Sequence, residues 1–228
     1  MKISGLQKLT LLDFPGKMAC TVFTYGCNFR CPFCHNALLV TEQNHDSISE
    51  DEFFSFLKKR QGILDGVCIS GGEPTLQNDL TEFIRKIKNL GYAVKLDTNG
   101  SDPYVLRKLI GENLIDYVAM DIKNSPDKYS LTCGCEVDIE LIKESVSIIM
   151  GSGVAHEFRT TTVREFHSAE DFEAIAQWLK GDSKYFLQHF EDSGNLIGEN
   201  LSPLSKDEMS AFAENMRSKL ANVDIRGV

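Results

Sequence analysis

Short apolar runs alternate with amphipathic stretches along the whole 228-residue chain, and that alternation constrains its fold more than any other feature. Met18 to Tyr25 (MACTVFTY) reads as the first strand. Ser49 and Glu52 have capping-box spacing ahead of Phe53, Phe54 and Leu57, which predicts a helix from Ser49. Further strands are expected over 66–70, 92–97, 116–121, 155–163 and 185–190. Helices are expected over 79–90, 102–110, 138–150 and 169–179, and from Ser205. Pro103 suits a first helical turn, and Gly151 and Gly153 read as stop signals. About six strand–helix units result, which implies a parallel sheet with right-handed crossovers. An incomplete barrel and an open doubly wound sheet both satisfy the pattern. With no linker, repeat or low-complexity segment, residues 1–228 are expected to form one domain.

Net charge is -9 and the pI about 5.1, which argues against nucleic acid and anionic membrane as partners, since both select for surplus Lys and Arg. MKISGLQKLTLLDFPGK has no apolar run of signal-peptide length, and no segment approaches a membrane span. A cytoplasmic location is expected, where thiols stay reduced. Seven cysteines there read as metal ligands or small buried hydrophobes before they read as disulfides. Cys20 and Cys68 fall inside strands and are expected in the core.

Cys27, Glu73, Asp97, Asn99, Asp121, Lys123 and His189 all fall at or just past the C-terminal ends of the expected strands. In parallel α/β folds that rim is where ligands bind. The densest cluster is Cys27-Asn28-Phe29-Arg30-Cys31-Pro32-Phe33-Cys34, a C-x3-C-x2-C arrangement directly after a strand. Three thiolates so spaced wrap one soft metal centre. A cubane with three protein ligands keeps one iron open. Zinc, completed by His35 or by Cys133 and Cys135, and cysteines without metal both remain open on spacing alone.

The cysteine motif, with Phe33 before its last member, resembles the signature of the radical S-adenosylmethionine superfamily. The resemblance implies a partial (β/α)6 barrel with a [4Fe–4S] cluster on Cys27, Cys31 and Cys34. It also implies S-adenosylmethionine on the open iron, cleaved by one electron to methionine and a 5′-deoxyadenosyl radical. Gly71-Gly72-Glu73-Pro74 resembles the family's motif for the methionine amino group. Leu96-Asp97-Thr98-Asn99-Gly100 and Asp121-Ile122-Lys123 resemble stretches that glycyl-radical activating enzymes use on the same cofactor, the latter on its ribose and carboxylate. Arg159 and His189 are weaker candidates for the same pocket. Read as sequence alone, each has a plain alternative: a turn, a helix cap, a surface ion pair or a structural histidine.

LDFPGK at 12–17, Val22-Phe23, Gly26, His35-Asn36, EFRTT at 157–161 and Arg226-Gly227 resemble activating proteins of anaerobic ribonucleoside-triphosphate reductases. That likeness implies hydrogen abstraction from a glycine of a partner glycyl-radical enzyme, with a flavodoxin or ferredoxin as electron donor. No acid–base pair is expected beyond the cluster. Cys133-Gly134-Cys135 falls where relatives place an irregular loop, and redox-active, partner-contacting and incidental readings of it all stay open. The competing readings are a radical enzyme acting on a small molecule or peptide, and a metal-binding module without catalysis.

Overall fold

The computed structural model describes residues 1–41 and 47–227. Its strands are β1 (Ile3–Thr10), β2 (Ala19–Thr24), β3 (Gly66–Gly71), β4 (Ala93–Thr98), β5 (Tyr117–Asp121), β6 (Ala155–Thr162), β7 (Gly181–His189) and β8 (Leu220–Arg226). They form one sheet in chain order, antiparallel between β1 and β2 and parallel from β2 onward. The helices are α1 (Ala37–Thr41), α2 (Glu50–Lys59), α3 (Leu80–Asn89), α4 (Pro103–Gly111), α5 (Tyr129–Cys133), α6 (Ile139–Ser152), α7 (Ala169–Trp178) and α8 (Lys206–Met216). Each of β2 to β7 is followed by helix, so the six expected strand–helix units are present and the architecture is a partial barrel.

Two strands lie outside the expectation. β1 and β8 are the edges of the sheet, and each buries only two residues. An edge strand that buries so little has no clear period-two pattern to read. α1 and α5 fall in stretches expected to be irregular, and each is only five residues long.

The helices form where the sequence places them, for identifiable reasons. Ser49 caps α2 in a full capping box with Glu52. Leu80, Phe83, Ile84 and Ile87 share one stripe of α3, and all are buried. Removing the Phe83 ring would cost ~3–5 kcal/mol, because it packs against Phe53 at 5.3 Å between centroids. Gly153 ends α6 in a left-handed conformation.

Along the central strands the two faces differ in kind. Val67 and Ile69, Val94 and Leu96, and Val118 and Met120 are fully buried in the hydrophobic core. The alternate positions carry Cys68 and Ser70, Lys95 and Asp97, and Tyr117 and Asp121, and these side chains bond across the strands. The curved sheet thus turns its apolar face to the core and lines its concave face with polar groups. Among the described residues no helix is long and apolar enough to cross a membrane.

Candidate metal and cofactor site

The cysteine loop leaves β2 through Gly26 and is tied down from several sides. Gly26 N donates to Leu39 O at 3.0 Å, Gly198 N to Pro32 O at 2.8 Å, and Arg30 N to Cys133 O at 2.9 Å. The Arg30 guanidinium bonds Cys27 O at 2.6 Å and Phe29 O at 2.8 Å. These bonds fix a short turn that carries Cys27, Cys31 and Cys34 into a cavity of about 260 Å³. Burial pushes the Cys27 thiol up to about 11 and raises Cys34 as well. A hydrogen bond from Cys133, aided by Lys123, brings Cys31 down to about 7 against its burial. Cys20 and Cys68 are fully buried in the strands, as the sequence reading expects.

Beside the cysteines stands the β3 turn. Gly72 N donates to Thr24 O at 3.0 Å and Glu73 N to Gly26 O at 2.7 Å, so this turn is clamped to the start of the cysteine loop. A Cβ on Gly72 would lie 1.9 Å from Gly26 O, which leaves room for no other residue. Gly71 and Gly72 line the cavity. The Glu73 side chain does not: it is 0% exposed and turns into the protein. There its carboxylate accepts from Thr75 N at 3.1 Å, Thr98 Oγ1 at 2.7 Å and Asn99 N at 2.6 Å. Burial raises its pKa in spite of these bonds. Glu73 therefore braces the end of β4, and Asn99 in turn donates to Asn28 Oδ1 at 2.9 Å and approaches Cys27 Sγ at 3.8 Å.

The remaining wall is a chain of alternating charges. Arg159 is its hub, donating to Asp121 Oδ1 at 2.9 Å and to Asp97 Oδ2 at 3.4 Å. Lys123 pairs with Asp121 at 3.0 Å, and the buried Lys95 pairs with Asp97. Register explains the meeting, because Asp121 lies directly opposite Arg159 in the β5–β6 ladder. Burial alone would raise both carboxyls, but Arg159 overrides it at each, helped by Lys123 at Asp121 and Lys95 at Asp97. Asp121 is held at about 2 and Asp97 below its usual range. Asp121 likewise holds Lys123 above its usual range against burial. Two of these cations, Lys123 and Arg159, line the cavity with the two carboxylates, while Lys95 is buried behind Asp97.

Phe33, Asp97, Asn99, Asp121, Lys123 and Arg159 thus line one cavity with the three cysteines, although they come from four separate segments. His189 is not among the lining residues. Its neighbour Gln188 is, and successive side chains on a strand point to opposite faces, so His189 turns away. Its Cβ is 3.3 Å from where a Cβ on Gly227 would stand.

Several contributors were not singled out from the sequence. Thr161 and Gln188 line the cavity, and strand parity with Arg159 was the signal for Thr161. His167 donates from Nε2 to Lys123 O at 2.9 Å and accepts at Nδ1 from Val163 N at 3.1 Å, a tautomer assigned from these partners. Its ring also meets the edge of Phe33. Below the cavity Arg226 forms a two-pronged pair with Glu157 at 2.8 and 3.0 Å, and Tyr117 donates to the same carboxylate.

Three soft thiols suit iron–sulfur chemistry. Among the described residues, no three His, Cys, Asp or Glu side chains converge as one metal ion requires. Thiolates on separate irons of a cluster need not converge, so the arrangement fits a cluster better than a single tetrahedral zinc.

Comparison with known proteins agrees. The chain matches the Radical SAM superfamily over residues 21–179. Two proteins of Methanocaldococcus jannaschii, each named "Putative glycyl-radical enzyme activating enzyme", are 37% identical to it. The first alignment covers 99% of this chain and 96% of that protein, the second 89% and 78%. Streptococcus suis SuiB bound to S-adenosylmethionine superposes with a TM-score of 0.70 at 15% identity, over 90% of this chain and 49% of SuiB. This chain thus spans about half of SuiB, and the likeness is one of fold. The superfamily's cofactors are a [4Fe–4S] cluster and S-adenosylmethionine, and the thiols and cations of this cavity fit both. The chain belongs to the radical S-adenosylmethionine superfamily of enzymes and, within it, to the glycyl-radical enzyme activating family.

Proposed function

We propose that this enzyme abstracts a hydrogen atom from one glycine of a partner protein, and that the partner is an anaerobic ribonucleoside-triphosphate reductase. The observation that carries the reading is the convergence of three thiols with Asp121, Lys123 and Arg159 in one cavity at the C-terminal rim of an incomplete barrel. A rim left open at a sheet edge suits entry of a polypeptide loop. The LDFPGK and EFRTT segments support the choice of reductase.

The residue roles follow from position. Cys27, Cys31 and Cys34 hold the cluster, and Phe33 packs beside it. Gly71 and Gly72 offer main-chain groups to the cofactor's amino end. Lys123 pairs with its carboxylate, Asp121 accepts from its ribose hydroxyls, and Arg159 fixes the orientation of both acids. Asn99 and Asp97 complete the wall, and Glu73 acts on the site through Thr98 and Asn99. When bound, the cluster and S-adenosylmethionine supply a one-electron cleavage that yields a 5′-deoxyadenosyl radical. The protein's own part is to hold that cofactor in one pose and to keep water away from it.

We place the protein in the cytoplasm, with flavodoxin or ferredoxin as donor, and read residues 1–228 as one domain. Seven free cysteines and a single sheet support these readings. The test is anaerobic incubation of the reconstituted enzyme with reductase, S-adenosylmethionine and dithionite, followed by electron paramagnetic resonance. A glycyl doublet is expected. Release of 5′-deoxyadenosine without that doublet would refute the choice of partner.

A further inference from the structure

Cys133 is a fully buried thiol to which the cofactor site gives no task. It ends α5, where Gly134 takes a φ of 65° and turns the chain back. That turn rests on the cysteine loop. Cys133 O accepts from Arg30 N at 2.9 Å, and a Cβ on Gly134 would stand 2.4 Å from Arg30 O. Cys135 Sγ lies 3.6 Å from Asn28 O, so both sulfurs of the turn face the cluster ligands' loop. The Cys133 and Cys31 thiols are near enough to perturb one another electrostatically. The backbone one residue before Cys31 is bonded to Cys133 itself, so the two cysteine segments lie against one another. Cys31 also lines the cavity, where a small oxidant can reach it.

We infer that Cys31 and Cys133 form a reversible disulfide when the chain is without its cluster and meets a peroxide. The Cys31 sulfur attacks the O–O bond of hydrogen peroxide, giving a sulfenic acid and one water. The Cys133 sulfur then attacks the Cys31 sulfur; the S–S bond forms, the S–O bond breaks, and hydroxide leaves with the Cys133 proton as a second water. Two thiols are oxidised and one peroxide is reduced. Without a resolving thiol, a second peroxide oxidises the sulfenic acid to sulfinic acid and is itself reduced to water, and cellular thiols do not reverse that state. Cys133 thus preserves a metal ligand through loss of the cluster, and a two-electron thiol reductant returns it.

The test uses the full chain, stripped of iron anaerobically with dithionite and chelator, freed of both reagents, then given an excess of hydrogen peroxide. Alkylation, digestion without reductant and tandem mass spectrometry locate the bond. A Cys31–Cys133 link is expected, and dithiothreitol should then restore iron and sulfide uptake to the untreated level. Cys133→Ser should carry several-fold more sulfinic acid at Cys31 and should not recover uptake. A link from Cys133 to Cys135, or from Cys27 to Cys34, in place of the expected one would overturn the inference. So would equal sulfinic acid in the wild type and the variant. The wild-type map decides even if the variant folds poorly, and no outcome depends on which protein the enzyme activates.

Discussion

Gly72→Ala tests the claim that the β3 turn positions the cysteine loop. The new Cβ would stand 1.9 Å from Gly26 O and 2.5 Å from Gly26 C, both backbone atoms that no rotamer change can move. Relief requires the turn and the loop to separate by more than 1 Å, taking an ordinary contact as ~3.4 Å. That movement breaks the bonds Gly72 N to Thr24 O and Glu73 N to Gly26 O. Overpacking costs ~1–3 kcal/mol and each lost bond ~1 kcal/mol, so the total is ~3–5 kcal/mol. For a domain of this size each kcal/mol is worth ~2–4 °C, which gives a Tm lower by ~6–20 °C. Gly26 directly precedes Cys27, so iron and sulfide bound after anaerobic reconstitution should fall with it. Gly111→Ala, at a helical glycine with nothing within 4 Å, is the control and should be neutral or stabilising by up to ~1 kcal/mol. A Gly72→Ala protein with unchanged Tm and full iron content would refute the reasoning.

Three further outcomes are expected. Asp121 titrates at about 2 when folded, below its ordinary 3.8, so its charge stabilises the fold above the unfolded value and that contribution is lost as pH falls. The full contribution is ~2 kcal/mol, of which about half disappears between about pH 6 and about pH 3. Urea titrations of the cluster-free chain should show that loss in the wild type and not in Asp121→Asn; parallel pH profiles would exclude it. Cys34→Ala should abolish cluster assembly, whereas Lys123→Ala should keep the cluster's absorbance and weaken S-adenosylmethionine binding about tenfold or more, as loss of a ~1.5–3 kcal/mol charged hydrogen bond implies. Unchanged affinity by equilibrium dialysis would remove Lys123 from the cofactor's partners.

The rim of the site was legible because strand ends are legible. Asp97, Asp121 and the cysteine loop each follow an apolar run, and parallel strands must bring such ends together. Orientation at those ends was less legible. Glu73 and Gly72 are adjacent, yet one side chain enters the protein while the other position lines the cavity. His189 ends its strand as expected, but parity gives the inward place to Gln188. Alternation also separates two faces without saying which one meets solvent. In VKLD, Lys95 and Asp97 alternate with buried Val94 and Leu96, a pattern that ordinarily marks a solvated face. Here Lys95 is only 1% exposed, because the polar face is the hollow of the barrel. β1 and β8 leave little trace in the sequence because their stability comes from pairing with a neighbour rather than from buried side chains of their own.

The charged column beneath the cavity has a bearing on any attempt to harden this protein. A buried ion pair such as Lys95–Asp97 contributes little net stability compared with well-packed hydrophobic residues of equal volume. Selection for heat resistance on the chain without its iron would therefore favour exchanging both partners together, since losing one alone strands a buried charge. The survivors would melt later and grip the sulfonium nucleotide less well, since the scaffolding that aims Arg159 and Asp121 would be gone.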